Sequence, residues 1–201
     1  MPGERPRRGN GLDPQSRRRA LVDAAAELMC RRGYRGTSLK DIANELGMSE
    51  PALYHYFRNK EEILVSIYME TLSVGLQTVR AIRDSEGPAD AKLRRVLAEF
   101  TRLVALNKMF VVFFHEKDEL SPDNWKMVTR GEREFVATIK DIVIGGVKEG
   151  VFKELPPSVV SFGILGMGAW VYRWYRPEGP LPLDKIVDVF CEMIIGGLRK
   201  G

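Results

Sequence analysis

Residues 37–61 read TSLKDIANELGMSEPALYHYFRNKE and contain two short helical patterns separated by a glycine. The apolar residues of the first pattern recur at helical spacing; they are Leu39, Ile42, Ala43 and Leu46. Gly47 can adopt the left-handed conformation of a tight turn. Ser49 is a favoured helix N-cap, and Pro51 fits the first turn of the helix that follows it. This order of elements predicts a helix-turn-helix over residues 38–57.

The second helix of this motif has two different faces. Its apolar face is spaced to pack against the first helix and consists of Leu53, Tyr56 and Phe57. The opposite face carries Glu50, Pro51, Tyr54 and His55. Short polar and aromatic side chains suit insertion into the major groove of double-stranded DNA. On geometry alone, a generic helical hairpin with a solvated outer face is an equally simple interpretation.

The rest of the chain is also helical in pattern, and no strand pattern interrupts it. We expect helices at about 15–32, 60–83, 89–107, 109–119, 122–149, 157–176 and 183–199. Residues 1–13 are rich in proline, glycine and arginine and are expected to form a flexible basic arm. The patterns predict an all-α fold.

Composition limits the class of protein. The 201-residue chain has a net charge of +4, and its first 60 residues carry 12 basic and 7 acidic side chains, which suggests a polyanion partner at that end. Cys30 and Cys191 lie in apolar stretches, and no signal peptide pattern is present, so we expect a cytoplasmic protein with reduced thiols. The cysteines and histidines are not clustered, so we expect no metal and no cofactor. No catalytic motif indicates an enzyme.

The quoted segment resembles the DNA-binding domain of TetR-family transcriptional regulators. The resemblance lies in residues 37–49 and 52–61, and it extends to AAAEL at 24–28 and to GYRGTS at 33–38. It is specific over residues 17–64. It implies a three-helix DNA-binding domain over 14–60 and a larger helical domain for ligand binding and dimerisation over 61–201.

The resemblance also implies roles for individual residues. Contacts to DNA phosphates fall on Tyr54, Tyr56 and Lys60, and on a backbone amide at Thr37 or Ser38, one of which caps the helix. Base-reading or groove-facing positions fall on Lys40, Ser49, Glu50, Pro51, Ala52 and His55. Glu50 departs from the small or basic residues usual there. It either accepts a hydrogen bond from a cytosine or turns outward as an acid favoured by the helix dipole.

Two C-terminal helices are patterned for an interface between subunits. Residues 155–172 carry no charge and approach the length of a membrane span, but two prolines begin the stretch and three glycines interrupt it. A helix buried in a protein interface is the better interpretation. The last helix has an apolar stripe consisting of Ile186, Val189, Phe190, Met193, Ile194 and Gly197. Two such helices from each subunit predict a four-helix homodimer that reads a pseudo-palindromic operator.

Aromatic residues and methionines suggest an apolar ligand pocket. The candidates are Met109, Phe110, Phe113, Phe114, Met167, Trp170, Arg173 and Trp174, although ordinary core packing explains each of them as well. The segment at 170–180, WVYRWYRPEGP, resembles TetR-family members that regulate fatty-acid or steroid degradation and sense acyl-CoA esters. That resemblance implies a repressor released by an acyl-CoA, with cations at the pocket mouth among Lys108, Lys117, Arg173 and Arg176. A multidrug-responsive repressor that senses cationic or aromatic compounds is the alternative.

Overall fold

The computed structural model describes residues 13–200 and confirms the all-α fold. The described α-helices are α1 (Pro14–Arg32), α2 (Leu39–Glu45), α3 (Glu50–Tyr54), α4 (Lys60–Asp84), α5 (Ala89–Leu106), α6 (Lys108–His115), α7 (Pro122–Lys148), α8 (Pro157–Ala169), α9 (Val171–Trp174) and α10 (Leu183–Leu198). A 3-10 helix at Lys117–Glu119 follows α6, and an isolated bridge joins Phe152 to Arg199. The predicted basic arm falls almost entirely on residues 1–12, which lie outside the described residues.

Side-chain caps fix where the first three helices begin. The Asp13 carboxylate accepts hydrogen bonds from the amides of the first turn of α1. Ser38 and Asp41 form a capping box at the start of α2, and Ser49 caps α3 through the amide of Ala52. The cap of α2 is therefore Ser38, because Thr37 is buried and its hydroxyl donates to the carbonyl of Gly33.

The first hydrophobic core joins the N-terminal helices to parts of the chain beyond residue 60. Its fully buried members include Leu28, Ile42, Leu53, Phe57, Ile63, Ile67 and Tyr68. Met109 and Val112 of α6 belong to the same core. We call α1–α3 with the first three turns of α4 the head. Its packing extends past the boundary at residue 60 that the sequence suggested.

The second core lies between α4, α5, α7, α8 and α10. Gly75 of α4 lets α7 approach closely, because a Cβ placed there would stand 3.2 Å from the ring of Phe135. A third, smaller cluster around Phe100, Val104 and Phe110 adjoins it. No helix in residues 13–200 combines the length and apolar composition that crossing a membrane requires.

Two helices that the sequence predicted as continuous are divided. The predicted helix at 109–119 ends at His115, and the next residue, Glu116, turns its carboxylate to the amide of Tyr34 at 3.0 Å. The predicted helix at 157–176 is interrupted at Trp170, whose carbonyl accepts from the amide of Arg173 in a tighter turn. A hydrogen bond to a distant residue accompanies the end of the first helix. A change in the local backbone hydrogen bonding interrupts the second.

Candidate nucleic-acid interface and ligand cavity

The structure places a tight turn between α2 and α3, as the sequence predicted. Gly47 has a φ of +61°, and the amide of Met48 donates to the carbonyl of Ala43 at 3.0 Å. Ile42, Ala43, Leu53 and Phe57 are buried, so the two helices meet through their apolar faces. The remaining face of α3 is left toward solvent.

Most of the residues expected at DNA lie on this outer surface of the head. Those that are exposed are Ser38, Lys40, Ser49, Pro51, Tyr54 and His55, and those that are half-buried are Glu50, Ala52, Tyr56 and Lys60. The Tyr54 side chain is 50% exposed, whereas Tyr56 also packs against the first core. Thr37 is buried and does not reach this surface.

Lys60 holds the loop between α1 and α2. Its Nζ donates to the carbonyl oxygens of Tyr34 at 2.7 Å and of Thr37 at 2.8 Å, and it lies 4.0 Å from the centre of the Tyr34 ring. Burial lowers the pKa of this ammonium, and the carboxylates of Glu119 and Glu116 oppose that shift. Two of its three protons are engaged within the described residues, so one is left for a phosphate.

The backbone amides at the start of α2 already have acceptors. The amide of Thr37 donates to the carbonyl of Tyr34, and the amide of Ser38 donates to the Asp41 carboxylate at 2.8 Å. The Ser38 hydroxyl lowers the pKa of the Asp41 carboxyl. A phosphate bound by either amide would therefore have to replace one of these bonds. The sequence interpretation did not predict that these hydrogen bonds would have to be replaced.

Arg58 is a further cation at this surface that the sequence interpretation omitted. It is exposed, lies between α3 and α4, and makes no ion pair within residues 13–200. Its position two residues before Lys60 was the available signal, since both follow the predicted recognition helix directly.

A cavity of about 410 Å³ lies between α4, α5, α6, α7 and α8. Its walls are almost entirely apolar and consist mainly of Leu72, Gly75, Phe100, Phe110, Phe113, Phe114, Phe135, Val136, Phe162 and Leu165. Glu132 is the acid in this wall, and it forms an ion pair with Lys117. A volume of this size is typical of a pocket for a small apolar ligand.

Three of the eight predicted pocket residues line this cavity: Phe110, Phe113 and Phe114. Met109 is buried in the first core, and Met167 lies in a shallow groove between α8 and α10. Trp170, Arg173 and Trp174 are exposed near the end of α8, with the Arg173 guanidinium 5.9 Å from the Trp170 ring centre. None of these five residues lines the cavity, and for the last three the interruption of the helix at Trp170 separates them from it.

The cavity residues that the sequence interpretation missed come from α4, α5, α7 and α8. Their signal was present as helical spacing, because Glu132, Phe135 and Val136 fall on one face of α7. A surface helix and a cavity wall share this spacing. The pattern alone therefore did not identify the face that encloses a ligand.

Five contacts join α6, the segment after it and the start of α7 to α4 and the loop after α1. The Tyr68 hydroxyl donates to the carbonyl of Phe113 at 2.9 Å, and Glu116 accepts from the Tyr34 amide. Arg35 pairs with Glu119 at 2.7 Å. At the other end, Glu61 accepts from the amide of Ser121 and the side-chain amide of Asn124, each at 2.7 Å. The residues that follow α6 therefore contact the loop that Lys60 holds.

An apolar surface on α8 and α10 is uncovered in the single chain. Its most exposed members are Val159, Phe162, Val189 and Met193, with exposed fractions of 41% to 67%. Gly163, Gly166, Gly196 and Gly197 have open space where a Cβ would stand. Large apolar side chains beside glycines are typical of a helix–helix interface between subunits.

Family models match both halves of the chain. The model of bacterial regulatory proteins of the tetR family matches residues 21–67. The model of the tetracycline repressor-like C-terminal domain matches residues 86–198. Together the two matches take in the helix-turn-helix and most of the helices around the cavity.

Individual relatives extend over nearly the whole chain. The transcriptional repressor KstR2 of Mycobacterium tuberculosis is 27% identical over 188 residues, which cover 92% of this chain and 94% of the relative. The regulator PfmR of Thermus thermophilus is 30% identical with a TM-score of 0.82, covering 90% of this chain and 99% of that one. AibR, solved with isovaleryl coenzyme A and operator DNA, is 28% identical with a TM-score of 0.81, covering 88% and 97%.

Proposed function

The chain belongs to the TetR family of bacterial transcriptional regulators, and on that premise we propose that it is a homodimeric repressor released from its operator by an acyl-CoA ester. The observation that carries the effector part of this proposal is the apolar cavity of about 410 Å³. One wall of that cavity, α6, is hydrogen-bonded to the head. A short series of direct contacts thus connects the cavity to the part of the molecule that carries the proposed DNA-binding surface.

The DNA part of the proposal rests on the exposed face of α2 and α3. Lys40, Tyr54 and His55 face solvent there, and Lys60 lies beside them with one free proton. Glu50, Pro51 and Ala52 offer few strong contacts to bases, so phosphate contacts and the spacing between two heads carry much of the recognition. Two heads in a symmetric dimer would read half-sites about 34–36 Å apart or an adjusted multiple of that distance.

The dimer part rests on the apolar surface of α8 and α10. Exposed Phe162 and Met193 lie beside glycines that leave room for a second helix pair. Covering this surface with the same surface of another copy gives a closed, two-fold arrangement. That arrangement also supplies the second head for a pseudo-palindromic operator.

Effector release follows from the contacts between cavity and head. A ligand between α4 and α6 changes the separation of these helices, and α4 begins at the Lys60 contact. A coupling free energy of about 1–3 kcal/mol would change operator affinity roughly 5- to 150-fold. AibR, whose structure contains isovaleryl coenzyme A and operator DNA, supports an acyl-CoA as the class of ligand.

A multidrug-responsive repressor is the second candidate, and Glu132 favours it. A carboxylate among aromatic rings suits a cationic aromatic compound. Glu132 already pairs with Lys117, however, which reduces the negative charge offered to a ligand. We therefore rank the acyl-CoA effector first.

One titration separates the two candidates. A duplex selected from a random library by the protein serves as operator, and fluorescence anisotropy follows its release. Palmitoyl-CoA is expected to release the duplex, whereas the cation rhodamine 6G is not. Release by rhodamine 6G alone would support the multidrug candidate, and no selected duplex at all would contradict DNA binding.

A further inference from the structure

A second, polar depression opens directly beside the cavity, between α7 and α8. It has a volume of about 380 Å³ and shares Glu132, Val136 and Phe162 with the cavity wall. Its polar residues are Thr129, Arg133, Lys140 and Ser158, which together we call the α7–α8 groove. The two depressions therefore adjoin each other at these three side chains.

The groove contains two cations without a carboxylate partner. Arg133 and Lys140 make no ion pair and no side-chain hydrogen bond among residues 13–200, although many other basic side chains there do. They lie seven residues apart on α7, two turns along one face. The nearby acid, Glu132, is committed to Lys117. The groove is thus a local positive site at the edge of an apolar cavity.

Thr129 gives an independent indication of a polar ligand. Its Oγ1 is buried and has no hydrogen-bond partner in the described part of the chain. On the same helix the hydroxyl of Thr138 donates to the carbonyl of Glu134 at 2.9 Å, which is the usual arrangement for a helical threonine. Buried hydroxyls are rarely left unpaired, and this one belongs to a residue that lines the groove.

Of the cations that the sequence suggested for the pocket mouth, Lys117 lies beside the cavity wall but is paired, and the other three lie elsewhere. Lys108 pairs with Glu27, and Lys117 pairs with Glu132. Arg173 and Arg176 are exposed beyond the end of α8 and do not line the cavity or the groove. Within residues 13–200, Arg133 and Lys140 are the unpaired cations that line the depression next to the cavity.

We propose that the α7–α8 groove binds the phosphate groups of an effector whose acyl chain fills the apolar cavity. This inference rests on the proposed function. It assigns a binding site to the phosphate-bearing half of the same ligand. Arg133 and Lys140 supply charge-assisted hydrogen bonds to phosphate oxygens. Thr129 and Ser158 supply hydroxyls, and Phe162 stands where the chain passes from cavity to groove.

The test compares two ligands that share an acyl chain. Binding of palmitoyl-CoA and of palmitate is measured by isothermal titration calorimetry for the full-length protein and for the double variant R133Q/K140Q. We expect palmitoyl-CoA to bind the double variant at least about tenfold more weakly, because two charged hydrogen-bond donors are lost. Palmitate, which has no phosphate, should change less than about twofold, within the range of ordinary surface substitutions. Arg130→Gln is the matched control, because Arg130 is an exposed α7 cation outside the groove.

Each other outcome overturns a defined part of the inference. Equal binding of palmitoyl-CoA by the native protein and the double variant would overturn the groove and leave the proposed function standing. Equal weakening of both ligands would assign the groove to a carboxylate and overturn the phosphate assignment. If palmitoyl-CoA does not bind the native protein while the selected duplex does, the effector fails and the groove inference fails with it. The Thr129→Val variant should show a smaller loss, confined to palmitoyl-CoA.

Discussion

The residues that form the expected DNA-facing surface of the head are close together in the sequence, whereas the residues that line the cavity are far apart. The expected DNA-facing residues all lie within 37–60, on two short helices with their own side-chain caps. The cavity instead takes its walls from five helices between Thr71 and Ala169. Local rules of capping and spacing therefore determine the first surface, and packing between distant helices determines the second. Substitutions in one should leave the other intact, except where contacts join them.

The largest effect is expected from a charge placed at the apolar surface of α8 and α10. Met193 is 61% exposed in the single chain, and Met193→Glu would bury a carboxylate in each subunit of the proposed dimer. We expect a monomer in light scattering. Operator affinity should fall by about 10²- to 10⁴-fold, because two linked heads bind far more tightly than one.

Met127→Glu is the control for that experiment. Met127 is 40% exposed on α7, so the chemical change is the same at a position outside α8 and α10. It should leave both mass and operator affinity unchanged. A Met193→Glu protein that stays dimeric would place the subunit interface on another surface.

The next effect separates cavity from head. Val136 lies in the wall shared by the cavity and the α7–α8 groove, and Val136→Trp would fill that junction. We expect palmitoyl-CoA affinity to fall at least about tenfold, because the indole occupies ligand volume. Operator binding should persist, so the variant would act as a repressor that no longer responds.

Ile144→Trp provides the matched change for the cavity experiment. Ile144 is 37% exposed on the same helix and does not line the cavity. It should bind palmitoyl-CoA as the native protein does. If both tryptophan variants retain palmitoyl-CoA binding, the effector occupies a different cavity.

The same contrast explains how much the sequence could predict. The helix-turn-helix turn at Gly47 and the cap at Ser49 were predicted correctly, because a glycine and an N-cap act on their immediate neighbours. Of the aromatic run on α6, Phe110, Phe113 and Phe114 line the cavity, and their role in ligand binding stays a prediction. The remaining walls were missed because helical spacing shows that a face is apolar but does not show its partner.

Bonds between distant residues were the other part that the sequence did not reveal. Nothing in the spacing indicates that Glu116 would end α6 by accepting from Tyr34. Nor does it indicate that Lys60, expected only at DNA, would bind two loop carbonyls. The Glu116 contact joins residues 82 positions apart, and the Lys60 contacts join residues 23 and 26 positions apart, so each needs tertiary folding to form.

A comparison of Lys60 with Lys40 tests whether the bonds from Lys60 to the loop stabilise the head. Lys60→Gln removes two hydrogen bonds to carbonyls, so the free energy of unfolding should fall by about 1–3 kcal/mol. Lys40 is exposed without an ion pair in the described chain, and Lys40→Gln should change that free energy by less than about 0.5 kcal/mol. Urea denaturation measures both values.

The same two variants also test the DNA surface. Each should lower the slope of log affinity against log salt by about one unit, because each removes one phosphate contact. Equal stability of the two variants would show that the Lys60 contacts do not hold the loop. An unchanged salt slope for both would remove these lysines from the DNA interface.

The smallest effect is expected at Glu61, which joins the start of α4 to α7. Hydrogen bonds from Asn124 and Ser121 hold the pKa of the Glu61 carboxyl below its ordinary value. A lowered pKa in the folded state means that the contribution to stability is complete above the ordinary pKa of about 4.3, and it is lost as the pH falls through the lowered value.

Glu61→Gln should therefore reduce the free energy of unfolding by about 1 kcal/mol at pH 7, and the difference from the native protein should shrink as the pH falls below about 4.3. Urea denaturation between pH 7 and pH 3.5 measures this trend. Glu86→Gln is the control, because Glu86 is exposed and makes no ion pair within residues 13–200, so its effect should be near zero throughout. If the difference in unfolding free energy between Glu61→Gln and the native protein is constant with pH, the charge of the Glu61 carboxylate contributes nothing to the contact between α4 and α7.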